Sequence, residues 1–437
     1  MALDDYLAEF DPSAAILGIA GEQKQYVVSA LSAIMGQENV PAPMVFSEGP
    51  VDQVNFHLAG GEILSCVQHG VYLIHDGEAP LVAAVLGPSG MHGPRQQVHL
   101  EVVSTDPERG RAFLVTIRER MRRLNVYRGH VLSLNPGRLD MGAQTLVAFH
   151  DLPRIDRADV ILPDTLLERI ERHTLVFARH AAELQAAGRS LKRGMLFHGV
   201  PGTGKTLTLM YLVNQMPGRT VLLMTGNGMG LLSTVMQMAR TLAPVMVVVE
   251  DVDLIAEERG NPFRPTGGLL FELLNELDGL ASDIDVLFAL TTNRPEALET
   301  ALAARPGRVD LAVEFPLPDL EARRRLLDLY ARGLTLVEVE VEVEVEVEVE
   351  VDLDEIALAI DGASPAYIKE LLRRATVLSV AEDGSTRVTQ ALLRQAHEEL
   401  SSSGVLGQRM LGFQSDDDIA DHLPPVPGFP MGLFPAP

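Results

Sequence analysis

The sequence predicts an α/β fold in which a parallel sheet is sandwiched between helices, and three observations carry that prediction. The first is Gly199-Val200-Pro201-Gly202-Thr203-Gly204-Lys205-Thr206, which fits G-x-x-x-x-G-K-[ST]. Its glycines let successive backbone N–H groups turn inward and meet an anion closely. The second is what flanks the loop. Met195-Leu196-Phe197 reads as a strand entering it, and Leu207 to Val213 as a helix leaving it, with its positive end aimed at the same anion. The third is Val245–Val249, a fully apolar run ending in Glu250-Asp251-Val252-Asp253. A strand buried on both faces has that composition. Carboxylates at its C-terminal end lie where open α/β sheets bind ligands.

Composition sets the outer bounds. The chain has 437 residues, of which 46% are hydrophobic, enough for roughly two to four domains. Its net charge is −24, or about −17 without the seven Glu between Val337 and Val351. Non-specific nucleic-acid affinity comes from Lys and Arg on phosphates, so so acidic a chain is a poor general nucleic-acid binder. Cys66 is the single cysteine, which leaves no intrachain disulfide and no pointer to an oxidising compartment. The N-terminal MALDDYLAEFD lacks the basic region of a signal peptide. No apolar run approaches the roughly 18 residues of a membrane span. The expectation is a soluble cytoplasmic protein with no membrane partner.

Residues 1–150 carry no nameable motif and read as an α/β or α+β domain of their own. Val71–Ile74 and Val98–Val103 look like strands. Pro107 to Leu124 looks like an amphipathic helix with Phe113, Ile117, Met121 and Leu124 on one face. Cys66, His69 and His75 lack a fourth ligand at zinc-like spacing, so core and surface roles are expected for them. Asp151 to Val160 reads as a linker. A helix is expected from about Asp164 to Ala187, with Leu166, Ile170, Phe177, Ala181 and Leu184 on one face.

Beyond the glycine loop, Thr220–Thr225 reads as a strand, Leu231–Leu242 as a helix, Leu269–Leu280 as a helix and Val286–Leu290 as a strand. In this frame Lys205 reaches the β/γ-phosphates of a nucleotide and the Thr206 hydroxyl ligates Mg²⁺. One carboxylate after Val249 can hold Mg²⁺, and the next can polarise an attacking water. Asn293, at the tip of the next strand, can orient that water. Arg305 and Arg308 flank a Pro-Gly turn. They serve either as a surface salt-bridge pair or, supplied across a subunit boundary, as stabilisers of phosphoryl-transfer charge.

Residues 159–400 resemble an AAA+ ATPase of the AAA clade. GVPGTGKT, VVVEDVDLI, LLNELDGL, TTNRP and ARPGRVD come in that family's order and at its spacing. The resemblance implies a P-loop NTPase αβα sandwich with a C-terminal helical lid, and Mg-ATP hydrolysis in a homo-oligomeric ring, usually a hexamer. It assigns ATP contacts to Gly199, Pro201, Gly202, Thr203, Gly204, Lys205, Thr206 and Leu207. It assigns Mg²⁺ to Thr206 and Glu250, water activation to Asp251, the sensor position to Asn293 and the arginine fingers to Arg305 and Arg308. Asp278-Gly279-Leu280 matches the segment that relays nucleotide state between neighbours. Two departures stand out. The usual Asp-Glu order is Glu250-Asp251 here, a swap also seen in the mitochondrial translocase branch. The pore-loop region, Gly228-Met229-Gly230-Leu231-Leu232, has no aromatic residue; Met229 is a soft contact in its place.

In the lid, Leu320–Ala331 reads as a helix with a solvated basic face of Arg323, Arg324 and Arg325. A second helix starts at Ser364-Pro365-Ala366 and lacks a sensor-2 arginine, which argues against clamp loaders. Val337 to Val351 alternates Val and Glu strictly, a strand pattern that is expected to be a low-complexity insert. Neutralising its Glu would make it an aggregation-prone edge. Circular dichroism and light scattering across pH 3–7, with and without the tract, test that expectation, and an absence of change refutes it. Ser401 to Pro437 reads as a disordered tail with Phe413, Phe429 and Phe434 as short anchors. It lacks the hydrophobic-Tyr-X terminus of proteasome-activating ATPases, and no H-E-x-x-H occurs in the sequence. The expected function is a protein-remodelling ATPase whose N-terminal domain receives a protein substrate or adaptor, or else a nucleotide-dependent scaffold with little turnover.

Overall fold

The computed structural model describes residues 1–20, 47–87, 98–134, 147–224, 231–253, 275–276, 283–296, 309–336, 338–342, 345–349, 351–402 and 412. They form two compact units, one of residues 1–152 and 218–247, the other of 153–217 and 248–437.

In the first unit, β1 (Ala15–Ala20), β2 (Ser47–Gly49), β3 (Asp52–His57), β4 (Ile63–Ile74), β5 (Leu81–Leu86) and β6 (His99–Ser104) form an antiparallel sheet. The strand order is β2-β1-β4-β5-β6, with β3 also paired to β4. The N-terminal part is therefore a separate antiparallel-sheet domain with helices. Helices α1 (Ala2–Phe10) and α2 (Pro107–Arg123) cover one sheet face through Tyr6, Leu7, Tyr72, Ile74, Leu81, Ala83, Phe113 and Ile117. Helix α2 starts where expected because Asp106 caps the Glu108 N–H and Pro107 presets the first turn. Its apolar face ends early, and Met121 is 59% exposed. Arg120 takes over that end of the contact, pairing with Asp5 and Glu9 of α1.

A buried polar knot closes this unit. Tyr6 and Arg109 both donate to Asp76, whose side chain is 3% exposed. Burial alone would raise the Asp76 pKa, but the hydrogen bonds from Tyr6 and Arg109 outweigh it and hold the carboxyl below its ordinary value. Its contribution is thus present above the unfolded carboxylate pKa and lost as pH falls through the folded one. Replacing Asp76 with Ala leaves Arg109 and Tyr6 without that acceptor. It is expected to destabilise the fold by about 3 kcal/mol, read from urea unfolding at pH 7. An unchanged midpoint would show that the knot contributes nothing.

The same unit contains β7 (Val131–Leu134) and β8 (Val147–His150). Strand β9 (Lys192–His198) belongs to the second unit, whereas β10 (Thr220–Met224) lies parallel to β7, with Val221 opposite Val131, and β8 is antiparallel to β7.

In the second unit, β9 is flanked by β12 (Val286–Thr292) and β13 (Leu311–Glu314), both parallel to it. Every residue of β12 is buried, as is every residue of β11 (Val245–Val249), a strand whose first three residues are counted with the first unit and whose last two with the second. The helix expected over 164–187 is interrupted. It runs as α3 (Asp164–Glu171), a π turn Arg172–Val176, and two short helical pieces that meet at His180. Thr174 is fully buried and donates to the Ile170 carbonyl at 2.8 Å, a back-bond that competes with the helical ladder.

The C-terminal helices α6 (Leu320–Tyr330), α7 (Leu353–Ala359), α8 (Pro365–Asp383) and α9 (Gln390–Ser401) share one core centred on Leu327, Ile356, Tyr367 and Leu393. (The first two helices after β9, numbered α4 and α5, are Lys205–Asn214 and Leu232–Leu242.) Arg323 departs from its expected solvated face. It is 6% exposed, donates to the Ala357 and Pro318 carbonyls and pairs with Asp361. The Val/Glu tract forms an antiparallel hairpin, 338–342 with 345–349, in which each of the five registered pairs joins a Glu to a Val. That register sets no Glu directly opposite another, the arrangement that like charges disfavour.

Candidate functional site

Strand β9 ends at His198 and α4 begins at Lys205, so the glycine loop occupies the turn between them. Gly199 has φ 140°, and a Cβ there would run into the Phe315 carbonyl beside β13. Gly204 caps α4 in the left-handed region at φ 95°, open to glycine at no steric cost. The loop holds itself: Thr203 Oγ1 donates to the Val200 carbonyl at 2.9 Å. Lys205 is 7% exposed and its Nζ donates to the carbonyls of Gly199 at 2.7 Å and Val200 at 2.9 Å.

The acids arrive from the end of β11. Glu250 Oε1 accepts from Thr206 Oγ1 at 2.9 Å. Asp251 has φ 50°, a left-handed conformation that Asp and Asn tolerate better than other side chains. Its N–H donates to Thr291 Oγ1 at 3.1 Å, and its Oδ1 accepts from Asn293 Nδ2 at 3.2 Å. Asp253, 5% exposed, accepts from Thr292 Oγ1 at 2.8 Å and from the Asn293 N–H at 3.3 Å. It clips the tip of β12 so that the Asn293 amide meets Asp251.

Pro201, Gly202, Thr203, Gly204, Lys205, Thr206 and Leu207 line a cavity of ≈ 400 Å³ together with Asp251 and Asn293. Gly199 lies behind it, against Phe315. Glu250 reaches it through Thr206. The hydroxyl and carboxylate oxygens of Thr206 and Glu250 fit Mg²⁺, a hard cation that needs only one or two carboxylates when phosphates complete its shell. Among the described residues, no group of three or more His, Cys, Asp or Glu could hold a metal ion alone. Arg305, Arg308, Gly228-Met229-Gly230 and Asp278-Gly279-Leu280 lie outside the described residues.

Part of the cavity wall escapes the sequence reading. Asp159, Val160, Ile161 and Leu162, from the stretch read as a linker and just beyond it, line it too. So do Leu326 and Tyr330 of α6 and Pro365, Ala366 and Lys369 of α8. An apolar segment just before a helix and upstream of a phosphate loop was the available signal for the first group. The second group is set by how the lid helices pack.

Burial pushes the Lys205 amine down to about 8, against the pull of Asp251 and Asp253. Its folded pKa lies below the unfolded one, so the unfolded chain binds more protons between about 8 and 10.5. Stability therefore rises with pH across that window, and the penalty of the buried charge is full below it. Lys205→Met is expected to raise the melting temperature of the nucleotide-free protein at pH 7. The gain should shrink as pH climbs past 8, and scanning fluorimetry at pH 7 and pH 10 reads it. A gain that grew with pH would contradict this account.

A strand, an anion-binding glycine loop and a helix, with acids and an amide at neighbouring strand ends, define a P-loop nucleotide-binding domain. Residues 195–317 match the family model described as "ATPase family associated with various cellular activities (AAA)". That stretch is similar to the AAA ATPase family, and the relatives it matches are distant ones. The chain is 30% identical over 255 residues to the "26S proteasome regulatory subunit 4 homolog" of Oryza sativa subsp. japonica, covering 56% of this chain and 54% of that protein. It is 29% identical over 297 residues to the "ATP-dependent zinc metalloprotease FtsH 1" of Methylacidiphilum infernorum (isolate V4), covering 65% of this chain and 43% of that protein. The chain thus spans about half the length of the curated relatives it matches. No helix among the described residues is long and apolar enough to cross a membrane.

Proposed function

We propose that this chain is a Mg²⁺-dependent ATPase that works as a ring of identical copies and remodels proteins or protein complexes in the cytoplasm. One observation carries the catalytic part: the Thr206–Glu250 and Asp251–Asn293 pairs stand beside the same phosphate loop. On this reading Lys205 leaves the Gly199 and Val200 carbonyls for the phosphates of ATP, and the loop N–H groups hold their oxygens. Thr206 and Glu250 hold Mg²⁺, which when bound neutralises charge on the phosphates. Asp251 takes the proton of the attacking water, and Asn293 keeps its carboxylate aimed.

The ring and the substrate rest on other support. Arg305 and Arg308 follow Asn293 in the order and spacing of residues that complete a neighbour's site. Residues 1–150 form the domain that receives the protein substrate or adaptor, 159–318 the ATPase core, 319–400 the lid, and 401–437 the tail. Relatives named as a proteasome regulatory subunit and an ATP-dependent metalloprotease support a protein as the object of the work. The acidity of the chain weighs against nucleic acid.

The swapped Glu250-Asp251 order favours a second reading, a nucleotide-dependent scaffold or switch. Asp is one methylene shorter than Glu, so its reach to the water is altered. Turnover separates the two. The remodeller hydrolyses ATP only with Mg²⁺, loses that activity in Arg308→Ala, and regains it when Arg308→Ala copies are mixed with Lys205→Ala copies. The scaffold assembles in ATP, by sedimentation velocity, with no measurable phosphate release. A chain that stays a single copy and ignores ATP fits neither.

A further inference from the structure

Helix α2 runs against the charge of the chain around it. The chain carries a net −24, yet α2 holds six arginines against two glutamates. Burial sorts those residues onto two faces. Phe113 and Ile117 are buried in the core under the sheet, and Arg120 reaches across to Asp5 and Glu9 of α1. The opposite stripe is Arg111, Leu114, Val115, Arg118, Met121 and Arg122, which recur at helical spacings of three and four. It runs about 16 Å along the helix. Its apolar members Leu114, Val115 and Met121 are 41%, 54% and 59% exposed. A lone exposed apolar side chain is ordinary, but several on one stripe mark an interaction surface.

The arginines of this stripe have few acids of their own. Among the described residues, Arg118 and Arg122 make no hydrogen bond or ion pair. Arg111 pairs with Glu108 at 3.0 Å, with both side chains more than three-quarters exposed, a contact that contributes little. The nearby acids of α1 are already engaged. Asp5 accepts from Arg120 and Arg123, and Glu9 from Arg120.

A partner must satisfy both halves of this pattern. A nucleic-acid backbone would meet the arginines and leave the apolar side chains between them unused, and the net charge of the chain repels it. A bilayer calls for deeper apolar burial than three side chains give on a helix whose other face is committed to a core, and the stripe holds no aromatic residue. Carboxylates interleaved with apolar side chains meet both halves, with Met121 as the adaptable contact.

We propose that this stripe of α2 docks an acidic amphipathic helix of a partner protein. The inference rests on the reading of residues 1–150 as the domain that receives a protein, and it names the chemistry by which that protein is held. A surface this small makes the contact weak and salt-sensitive.

The test uses the full chain and fluorescence anisotropy with a labelled peptide of roughly 15 residues, about four helical turns, bearing leucines on one face flanked by glutamates. The unaltered chain should bind it, less tightly as NaCl rises from about 0.05 to about 0.5 M. Arg118→Glu combined with Arg122→Glu should weaken binding about tenfold or more and should gain affinity for the same peptide with lysine in place of glutamate. Leu114→Ser combined with Met121→Ser should weaken the glutamate peptide about fivefold. All these side chains are exposed, so the melting temperature and ATP turnover should not move. If the charge-reversed variant melts early, Arg118→Gln combined with Arg122→Gln takes its place, with a smaller loss expected. Peptide binding that the variants leave unchanged overturns the inference. So does capture of anionic vesicles or duplex DNA through the stripe while the peptide is ignored. A change of oligomeric state in the variants, by sedimentation velocity, overturns it too and makes the stripe a contact between copies. If the unaltered chain hydrolyses ATP but ignores the peptide, this inference alone fails. If it binds the peptide through α2 but shows no turnover, the ATPase reading fails and the docking surface stands.

Discussion

Lys205→Ala is expected to lose ATP binding by at least about a hundredfold and to bring Mg²⁺-dependent turnover to background. The Nζ atom now bonds two loop carbonyls at 2.7 and 2.9 Å. Both would be exchanged for phosphate oxygens, and hydrogen bonds involving a charged group contribute about 1.5–3 kcal/mol each. Losing two of them spans two or more tenfold steps in affinity. The alanine variant should fold, because removing a buried cation relieves a desolvation penalty that already pulls its pKa to about 8. Fluorescent-nucleotide titration and phosphate release, beside a melting curve, check both halves. A variant that melts normally and binds ATP as before would remove the phosphate loop from the mechanism.

Asp251→Asn should do the opposite to binding while doing the same to turnover. Asparagine keeps the shape of the side chain and is at home at φ 50°. The backbone N–H bond to Thr291 and the Thr206–Glu250 pair do not involve the altered atoms. What is lost is the proton acceptor, and general-base removal lowers rates by about 10²–10⁴. ATP affinity should stay within about threefold, a difference under 1 kcal/mol. Single-turnover phosphate release beside equilibrium titration separates the two quantities. Such a variant would also stay loaded, so a pull-down in ATP should recover whatever protein it holds. Turnover left intact would move the base elsewhere, with Glu250 next to be tested.

The phosphate loop was legible because its demands are local. Positive φ at Gly199, Gly202 and Gly204 leaves little choice of residue, and a cation must follow within reach of the same anion. The strand β11 was legible because burial on both faces forces an unbroken apolar run, and Glu250 and Asp251 follow it directly in the chain. Asn293 could be placed at a strand tip, but its bond to Asp251 could not. That contact needs Asp253 to clip β12 and Asp251 to turn left-handed. Arg323 shows the same blindness from the other side: three consecutive arginines read as a solvated face, yet carbonyls at the ends of two other segments draw one of them inward.

Local chemistry, written in consecutive residues, determined the nucleotide loop, the acids beside it and the parallel α/β class. Periodicity placed α2, the Ser364-Pro365-Ala366 start placed α8, and α6 runs to within one residue of the helix read over Leu320–Ala331. Only the tertiary structure decided what meets across long stretches of chain: Tyr6 and Arg109 on Asp76, β7 beside β10, and the start of α8 lining the same cavity as the glycine loop. The physical reason is range. Glycine conformation, strand burial and helix capping act over a few residues and leave a mark in the sequence. A cavity wall is assembled by packing between elements far apart in it, and no short pattern encodes which residues those will be.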